Sequence, residues 1–181
     1  MILTISGFSG AGKDTIAQEI VKHGFNFVTS HTTRPMRTSE SQGYPYHFIS
    51  TEEMLAYNAN NELVQMKEYY TTDGIWYYAI HKSEMDHTRD YVVVLDLKGV
   101  EDIKEVFNDV FSVFIDVDPK TRFDRAVHRD SDIDLVEWGR RLTDDLTIFK
   151  NVECDLRVTN DTDVNDCVNN ILKGLKDARG L

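Results

Sequence analysis

Cysteines, basic residues and long apolar runs are all scarce in this sequence. The two cysteines, Cys154 and Cys167, lie in neither a metal-ligand nor a redox spacing, so we expect ordinary reduced thiols. No apolar stretch reaches the roughly 20 residues of a transmembrane helix, and the N-terminus has the pattern of a core strand rather than a signal peptide. We therefore expect a cytoplasmic protein without a membrane partner.

The balance of charge excludes a second class of partner. Lysine and arginine number 20 against 31 aspartates and glutamates, which gives a net charge of −11. Non-specific nucleic-acid binding needs a basic surface, so nucleic acid is not an expected partner. An enzyme for small anionic substrates would concentrate its few arginines at the site, and most arginines here gather at 34–37 and 122–141.

The most informative stretch is residues 7–15, Gly-Phe-Ser-Gly-Ala-Gly-Lys-Asp-Thr, directly behind the apolar run 2–5. The spacing of Gly, four residues and Gly-Lys is that of a phosphate-binding loop. The glycines leave backbone N–H groups free to converge on phosphate oxygens, and Lys13 supplies a point charge. Residues 2–6 are predicted to form a buried strand and 15–21 a helix, whose N-terminus favours a phosphate. The alternative is a glycine-rich turn in an ordinary α/β domain.

Asp14 departs from the strict pattern of such a loop. The residue after the lysine is normally Ser or Thr, whose hydroxyl binds Mg²⁺. A carboxylate is also a good oxygen ligand for Mg²⁺, but it places a negative charge beside the phosphates. Asp14 is therefore either a Mg²⁺ ligand whose charge the metal compensates, or a sign that the loop no longer binds ATP.

A second polar segment, residues 30–48, is rich in turn residues and carries Arg34 and Arg37 with tyrosines behind them. Arginine offers a planar fork of donors and tyrosine adds a hydroxyl, which suits a clamp for a second phosphate. A solvated surface loop explains the same residues equally well.

Several spaced motifs together resemble the guanylate kinase family. The substrate-binding signature of that family is matched at Ser30, Arg34, Arg37, Glu40, Gly43, Tyr46 and Phe48. This signature follows the phosphate loop at the interval that the family uses. The similarity continues through residues 61–63, 77–78, 95–100 and 122–141, so it covers nearly the whole chain.

The resemblance implies an α/β fold of the P-loop NTPase type. A parallel sheet flanked by helices would carry an inserted region that binds a nucleoside monophosphate (NMP), and a mobile arginine-rich lid. The length of 181 residues suits one such domain. Its core would comprise residues 1–29, 83–118 and 142–181, its NMP-binding region 30–82 and its lid 119–141.

The apolar pattern agrees with this division. The continuous apolar runs 91–95 and 113–117 predict strands covered on both faces, with Pro119 ending the second. A capping box opens a helix at residue 51, and residues 63–80 suit a small mixed sheet. We also predict a strand at 25–29 and helices at 121–129, 135–149 and 164–175, the last of which should only pack. Residues 158–161 resemble the last strand of the family and the turn that flanks the adenine.

The resemblance also implies an ATP-dependent nucleoside monophosphate kinase that uses Mg²⁺ with ATP. The residues that would bind ATP are Gly7, Ser9, Gly10, Ala11, Gly12, Lys13, Asp14, Thr15 and Asn160. The residues that would bind the acceptor nucleotide are Ser30, Arg34, Arg37, Tyr46, Gln65, Tyr78, Ile80 and Asp96. The catalytic cations would be Lys13, Arg37, Arg125, Arg129 and Arg141. A solvated helix face would explain one or two of the arginines in 122–141, but not five of them in so acidic a chain.

The base that is accepted stays open at this stage. Guanylate kinases read guanine with a Ser, a Glu, a Ser or Thr and an Asp, and only Ser30 and Asp96 match. Gln65 offers one acceptor and a donor pair, which also suits thymine or uracil, and Ile80 adds apolar surface in place of a hydroxyl. The alternative is that Gln65 and Ile80 are drift in a site that still accepts GMP and dGMP.

Two other functions compete with this interpretation. Kinases that act on ribose 1,5-bisphosphate resemble guanylate kinases, have about this length and tolerate Gly-Lys-Asp in the loop. Guanylate-kinase-like domains also occur as non-catalytic binding modules, but those generally have a damaged phosphate loop. The complete arginine and tyrosine signature argues against the first, and the intact glycines and Lys13 argue against the second.

Overall fold

We describe the protein from a computed structural model that covers residues 1–37, 40–44, 46–71, 74–86, 88–129 and 135–180. Within these ranges, the side chains of residues 129, 135 and 137 are not described. The strands of the described residues are β1 (Ile2–Gly7), β2 (Asn26–Phe27), β3 (Ser30–Thr32), β4 (Tyr46–Phe48), β5 (Leu63–Thr71), β6 (Gly74–His81), β7 (Tyr91–Val94), β8 (Val110–Asp116) and β9 (Leu156–Thr159). The helices are α1 (Lys13–Val21), α2 (Thr51–Ala59), α3 (Leu97–Val106), α4 (Pro119–Arg129), α5 (Leu135–Ile148) and α6 (Val164–Arg179), and a 3-10 turn spans Lys82–Glu84.

The larger sheet is parallel throughout and has the strand order β2-β7-β1-β8-β9. Leu3 and Ile5 are fully buried on one face with Ile16 and Ile20 of α1, and the opposite face packs against α3 through Ile103. Burial on both faces explains why the strands read as continuous apolar runs. Because β7 and β8 flank β1 on opposite sides, the carboxyl end of β1 opens onto the crevice where α/β sheets bind ligands.

The smaller sheet has the order β4-β3-β6-β5 and is mixed, with β3 and β4 parallel and the other pairs antiparallel. Helix α2 covers one face of it through Met54, which packs with Leu63 and Ala79. A capping box between Ser50 and Glu53 begins that helix. The predicted fold class, a parallel sheet flanked by helices with a small mixed sheet inserted after the second strand, is confirmed.

Several predicted boundaries differ from the structure. The strand predicted at 25–29 is only Asn26–Phe27, because the chain leaves the parallel sheet and enters the smaller sheet at Ser30. Pro119 does not end a strand. It is the first residue of α4, where its fixed φ suits a helix and its missing N–H costs nothing. Helix α5 runs unbroken through the predicted lid boundary at residues 141–142. Among the described residues, no helix has the length and apolarity to span a membrane.

Candidate active site

The phosphate-loop residues form a tight connection between β1 and α1. A Cβ at Gly7 would lie 2.5 Å from the Ile115 carbonyl oxygen of the neighbouring strand, so the loop passes too close for a side chain. Gly12 caps α1 at φ 83°, in the left-handed region that glycine adopts without strain. The loop backbone therefore turns directly into the helix N-terminus, where its N–H groups and the helix dipole attract an anion.

Lys13 lies across this loop. Its Nζ donates hydrogen bonds to the carbonyl oxygens of Gly7 at 2.8 Å and Phe8 at 3.0 Å. Burial lowers the pKa of Lys13, although the carboxylates of Asp14 and Asp145 oppose that shift. The ammonium group is thus held beside the loop backbone in a position to meet phosphate oxygens.

Asp145 of α5 is a partner of the loop that the sequence did not reveal. Its Oδ2 accepts a hydrogen bond from the Ser9 backbone N–H at 2.7 Å and lies 3.7 Å from Nη1 of Arg122. The Arg122 guanidinium is buried and stacks 4.4 Å from the centroid of the Phe8 ring. The sequence analysis grouped Arg122 with the lid arginines. In the structure its guanidinium instead packs against the phosphate loop. No spacing signal marked Asp145, since Asp144-Asp145 reads as ordinary charge on a solvated helix face.

Arg125 and Asn160 join the loop to the end of β9. Asn160 is buried, and its Nδ2 donates to the Ala11 carbonyl at 2.9 Å, while Arg125 Nη2 donates to the Asn160 carbonyl at 2.7 Å. Arg125 Nη1 is buried with no hydrogen-bond partner among the described residues. A cavity of about 520 Å³ adjoins them and is lined by Gly12, Thr15, Arg125, Asn160, Thr162, Asp163 and Val164.

A second cavity, of about 540 Å³, lies directly over the loop, and we call it the loop cavity. It is lined by Ser9, Gly10, Gly12, Lys13, Asp14, Thr15, Arg125, Ala126, Trp138 and Arg141. Asp14 and Thr15 are exposed in the first turn of α1 and line this space. Ala11, also predicted to bind ATP, is fully buried and is not among the residues that line the loop cavity.

A third cavity, of about 440 Å³, lies between the loop and the smaller sheet, and we call it the acceptor cavity. All eight residues predicted from the resemblance to bind the acceptor line it: Ser30, Arg34, Arg37, Tyr46, Gln65, Tyr78, Ile80 and Asp96. The loop and acceptor cavities share the side chains of Ser9, Lys13 and Arg141. The two spaces thus meet at a lysine and an arginine.

Arg34 and Arg37 occupy different positions in this wall. Arg34 is buried and donates both to the Glu40 carboxylate, at 2.7 and 2.9 Å, and to the Pro35 carbonyl at 2.8 Å. Arg37 is exposed, and its backbone N–H donates to Glu40 Oε2 at 2.8 Å. The hydrogen bond from Arg34 holds the pKa of Glu40 below its ordinary value. Arg34 therefore fixes the shape of the segment between β3 and β4, while Arg37 lines the acceptor cavity.

Aromatic rings form another part of the wall. Tyr78 makes edge-to-face contacts with Tyr46 at 5.5 Å and with Tyr69 at 5.2 Å between centroids. Burial raises the pKa of Tyr46 to about 12, so its hydroxyl stays protonated and can donate a hydrogen bond at neutral pH.

Lys67 is a further cavity residue that sequence reasoning missed. Its Nζ donates to Asp96 Oδ2, while Asp96 Oδ1 caps α3 by accepting from the Gly99 N–H at 2.9 Å. Burial lowers the pKa of Lys67. Gln65 lies on the same strand two residues earlier, and its Oε1 is buried without a partner among the described residues. The alternation along β5, which puts Gln65 and Lys67 on one face, was the available signal.

Ile80 pairs with Gln65 across the two strands and is 1% exposed. It packs with Val93 and Leu95 and so gives the cavity an apolar floor. Arg129 belongs to α4, but its side chain lies outside the described residues, as do residues 130–134 that follow it.

The family model for guanylate kinase matches residues 1–178. The chain belongs to the guanylate kinase family. A guanylate kinase of Lactobacillus delbrueckii subsp. bulgaricus is 31% identical over 182 residues, which cover 98% of this chain and 88% of that relative. A guanylate kinase of Helicobacter hepaticus is 34% identical over 137 residues, covering 72% of this chain and 68% of the relative.

A solved structure gives the same result for the fold. The crystal structure of guanylate kinase from Anaplasma phagocytophilum aligns with a TM-score of 0.74 at 21% identity, covering 98% of this chain and 85% of that one. The family predicted from the spaced motifs is thus confirmed. The predicted enzyme class, an ATP-dependent nucleoside monophosphate kinase, is confirmed as well.

Proposed function

We propose that the chain transfers the γ-phosphoryl group of ATP to a nucleoside monophosphate whose base carries an N–H beside a carbonyl, with GMP and dGMP as the first choice. The meeting of the loop cavity and the acceptor cavity at Ser9, Lys13 and Arg141 carries this proposal. Phosphoryl transfer needs two nucleotides held in line with their charge neutralised, and such a junction of two cavities is the arrangement that provides it.

The residues of the loop cavity suit the phosphates of ATP. The N–H groups at the start of α1 and the Lys13 ammonium would bind the β- and γ-phosphates. Asp14 and Thr15 supply hard oxygen donors at the exposed first turn, which fits Mg²⁺. When bound, Mg²⁺ would neutralise phosphate charge, including the repulsion from Asp14 itself.

The acceptor phosphate would lie near Arg37, Tyr46 and Tyr78. Arg37 faces the cavity on a loop that Arg34 and Glu40 hold in shape. The protonated Tyr46 hydroxyl donates a hydrogen bond without adding charge. Arg141, which faces both cavities, is placed to stabilise negative charge on the phosphoryl group as it moves between them. Arg125 and Arg129 remain proposed catalytic cations from the family resemblance.

Lys67 carries the argument about the base. Ile80 offers no hydroxyl, but Lys67, on the neighbouring strand, brings an ammonium to the same face. An ammonium only donates, so it favours a carbonyl oxygen over an amino group. Asp96 and Gln65 can accept from the adjacent N–H, because a carboxylate has capacity beyond its bonds to Lys67 and Gly99.

This pattern separates the natural bases into two groups. Guanine, thymine and uracil present a carbonyl beside an N–H, whereas adenine and cytosine present an amino group at the corresponding position. Membership of the guanylate kinase family puts GMP and dGMP first, and the apolar floor at Ile80 makes dTMP the second candidate.

The test is ADP release from MgATP with GMP, dGMP, dTMP, dUMP, AMP, CMP and ribose 1,5-bisphosphate as acceptors. We expect the highest kcat/KM with GMP and dGMP and the lowest with AMP and CMP. Efficient use of AMP or CMP would contradict the assignment of the base. Activity on ribose 1,5-bisphosphate alone would favour a sugar phosphate kinase, and silence on every acceptor a non-catalytic binding module.

The role of Lys67 can be tested separately with Lys67→Met, which keeps the aliphatic stem and removes the charge. We expect kcat/KM for GMP to fall by about tenfold or more, since one charge-assisted hydrogen bond is lost. The rate with AMP should stay the same or rise, so the ratio between the two acceptors narrows. Lys82→Met, at an exposed lysine of the turn after β6, is the matched control. An equal loss on both acceptors would mean that Lys67 acts on the fold and not on the base.

A further inference from the structure

Three histidines meet on the face of the smaller sheet that is turned away from the acceptor cavity. His31 of β3 pairs directly with His47 of β4, and their ring centroids are 4.7 Å apart. His81 of β6 lies 5.7 Å from His31, and Tyr57 of α2 packs edge-on to both His31 and His81. Strand alternation explains this grouping, because Ser30, Tyr46 and Ile80 precede the three histidines and face the cavity.

Glu84, in the 3-10 turn after β6, completes the group. Its Oε1 lies 3.4 Å from His47 Nε2, and the possible ligand atoms of His31, His47 and Glu84 all lie within 4.8 Å of one another. Two ligands of one tetrahedral zinc ion at about 2.0–2.1 Å from the metal are separated by about 3.4 Å. The pair formed by His47 and Glu84 therefore already has the required spacing, and the widest pair has to close by about 1.4 Å, which side-chain rotation can provide.

His31 supplies the observation that points to a ligand. The residue is 9% exposed, and its Nδ1 is buried with no hydrogen-bond partner among the described residues. Buried polar atoms are nearly always paired, so an orphaned imidazole nitrogen needs an explanation.

We propose that His31, His47 and Glu84 form a binding site for a divalent first-row transition metal ion, with Zn²⁺ as the best fit. Two imidazole nitrogens and one carboxylate oxygen are the donor set that Zn²⁺ accepts, with water in the fourth position. Mg²⁺ prefers oxygen ligands in an octahedron, so the Mg²⁺ used with ATP does not compete for this site.

His81 is not a ligand in this assignment, because both of its ring nitrogens have partners. Its Nε2 lies 3.0 Å from Glu62 Oε2 and its Nδ1 lies 2.7 Å from Ser83 Oγ. It supports the site indirectly, since it caps the 3-10 turn that carries Glu84. Carboxylates and hydroxyls that orient neighbouring imidazoles are a common surrounding of metal ligands.

A metal ion here would join two strands of the smaller sheet to the 3-10 turn that follows β6. His31 follows Ser30 and His47 follows Tyr46, so the ion would fix, from behind, two strands that line the acceptor cavity. The site stands on its own geometry and does not depend on which acceptor the enzyme uses.

The test is calorimetric titration of the full chain, treated with a chelator and free of nucleotide, with ZnCl₂. We expect one saturable site per chain, tetrahedral d–d absorption when Co²⁺ replaces Zn²⁺, and a metal-dependent rise in Tm. His31→Gln and His47→Gln should each weaken binding by about tenfold or more. His23→Gln, at an exposed histidine after α1, should bind as the wild type does.

Two results would overturn the site. One is the absence of saturable Zn²⁺ binding to the folded wild-type chain. The other is wild-type affinity in the His31→Gln and His47→Gln variants, which would place the metal elsewhere, for instance at Cys154, which is only partly buried. Circular dichroism checks that each variant folds. If buried His31→Gln does not fold, the partly buried His47→Gln and Glu84→Gln variants decide the question.

Discussion

Individual residues of the phosphate loop have different roles. Glycine is required at Gly7 because the carbonyl of Ile115 leaves no room for a Cβ, and at Gly12 because the backbone is left-handed. Lys13 adds the only side-chain charge that bridges the loop carbonyls and faces both cavities in the described part of the chain. The geometry of the loop thus comes from the glycines and its charge from the lysine.

Lys13→Met should therefore reduce kcat by about 10²–10³-fold while the protein stays folded, because a preorganised charge at the transferring phosphoryl group is lost. Steady-state ADP release with saturating MgATP and GMP measures the effect. Lys22→Met, at the exposed lysine that directly follows the last residue of α1, is the control and should keep the wild-type rate. A near-normal rate for Lys13→Met would remove the assignment of this lysine.

At the scale of elements, the loop between β3 and β4 depends on one ion pair. Glu40 accepts two hydrogen bonds from the Arg34 guanidinium and one from the Arg37 backbone, and the Arg34–Glu40 side chains are only 5% and 10% exposed. Because the folded pKa of Glu40 is lowered, the ionised carboxylate stabilises the fold above the unfolded pKa, and this contribution is lost as the pH falls.

Glu40→Gln should for this reason make the free energy of unfolding less dependent on pH in the acid range. The wild type should lose more unfolding free energy than the variant as the pH falls below the ordinary glutamate pKa of about 4.3 and through the lower folded pKa of Glu40. Urea titrations at each pH measure the difference, with Glu52→Gln at an exposed position of α2 as the control. Parallel curves for wild type and Glu40→Gln would mean that the pair adds nothing to the folded state.

At the scale of the whole molecule, α5 and the phosphate loop are held together by a buried carboxylate. Asp145 joins Ser9 to Arg122 and is 11% exposed, whereas its neighbour Asp144 is 50% exposed and forms an ion pair with Arg140 of the same helix. The two adjacent aspartates therefore form a natural comparison between a buried and a surface ion pair.

Asp145→Asn should lower the free energy of unfolding by about 2–3 kcal/mol, because the charge-assisted bond weakens and Arg122 loses its buried counter-charge. Asp144→Asn should change it by less than about 1 kcal/mol, as is usual for exposed pairs. Urea unfolding of both variants beside the wild type measures this contrast. Equal losses would show that burial of the Asp145 pair has no special effect.

Sequence reasoning reached the features that depend on local pattern or on spaced motifs. The apolar runs located β7 and β8, and the glycine spacing located the loop. The family resemblance located eight residues, all of which line the acceptor cavity. Lys67, Asp145 and the histidine group were missed because each depends on contacts between segments far apart in the chain. Lys67 acquires its meaning from Asp96, 29 residues later, and Asp145 from Ser9, 136 residues earlier.

The alternation along the smaller sheet has a further consequence for how the protein must fold. Ser30 and His31, Tyr46 and His47, and Ile80 and His81 are neighbours that point to opposite faces. A slip of one residue in strand register would exchange the faces on which the two members of each pair lie. The imidazoles would then lie in the acceptor cavity, and the residues that line the cavity would lie beneath α2. Correct register of one small sheet is therefore a single structural condition on which the pocket and the histidine group both depend.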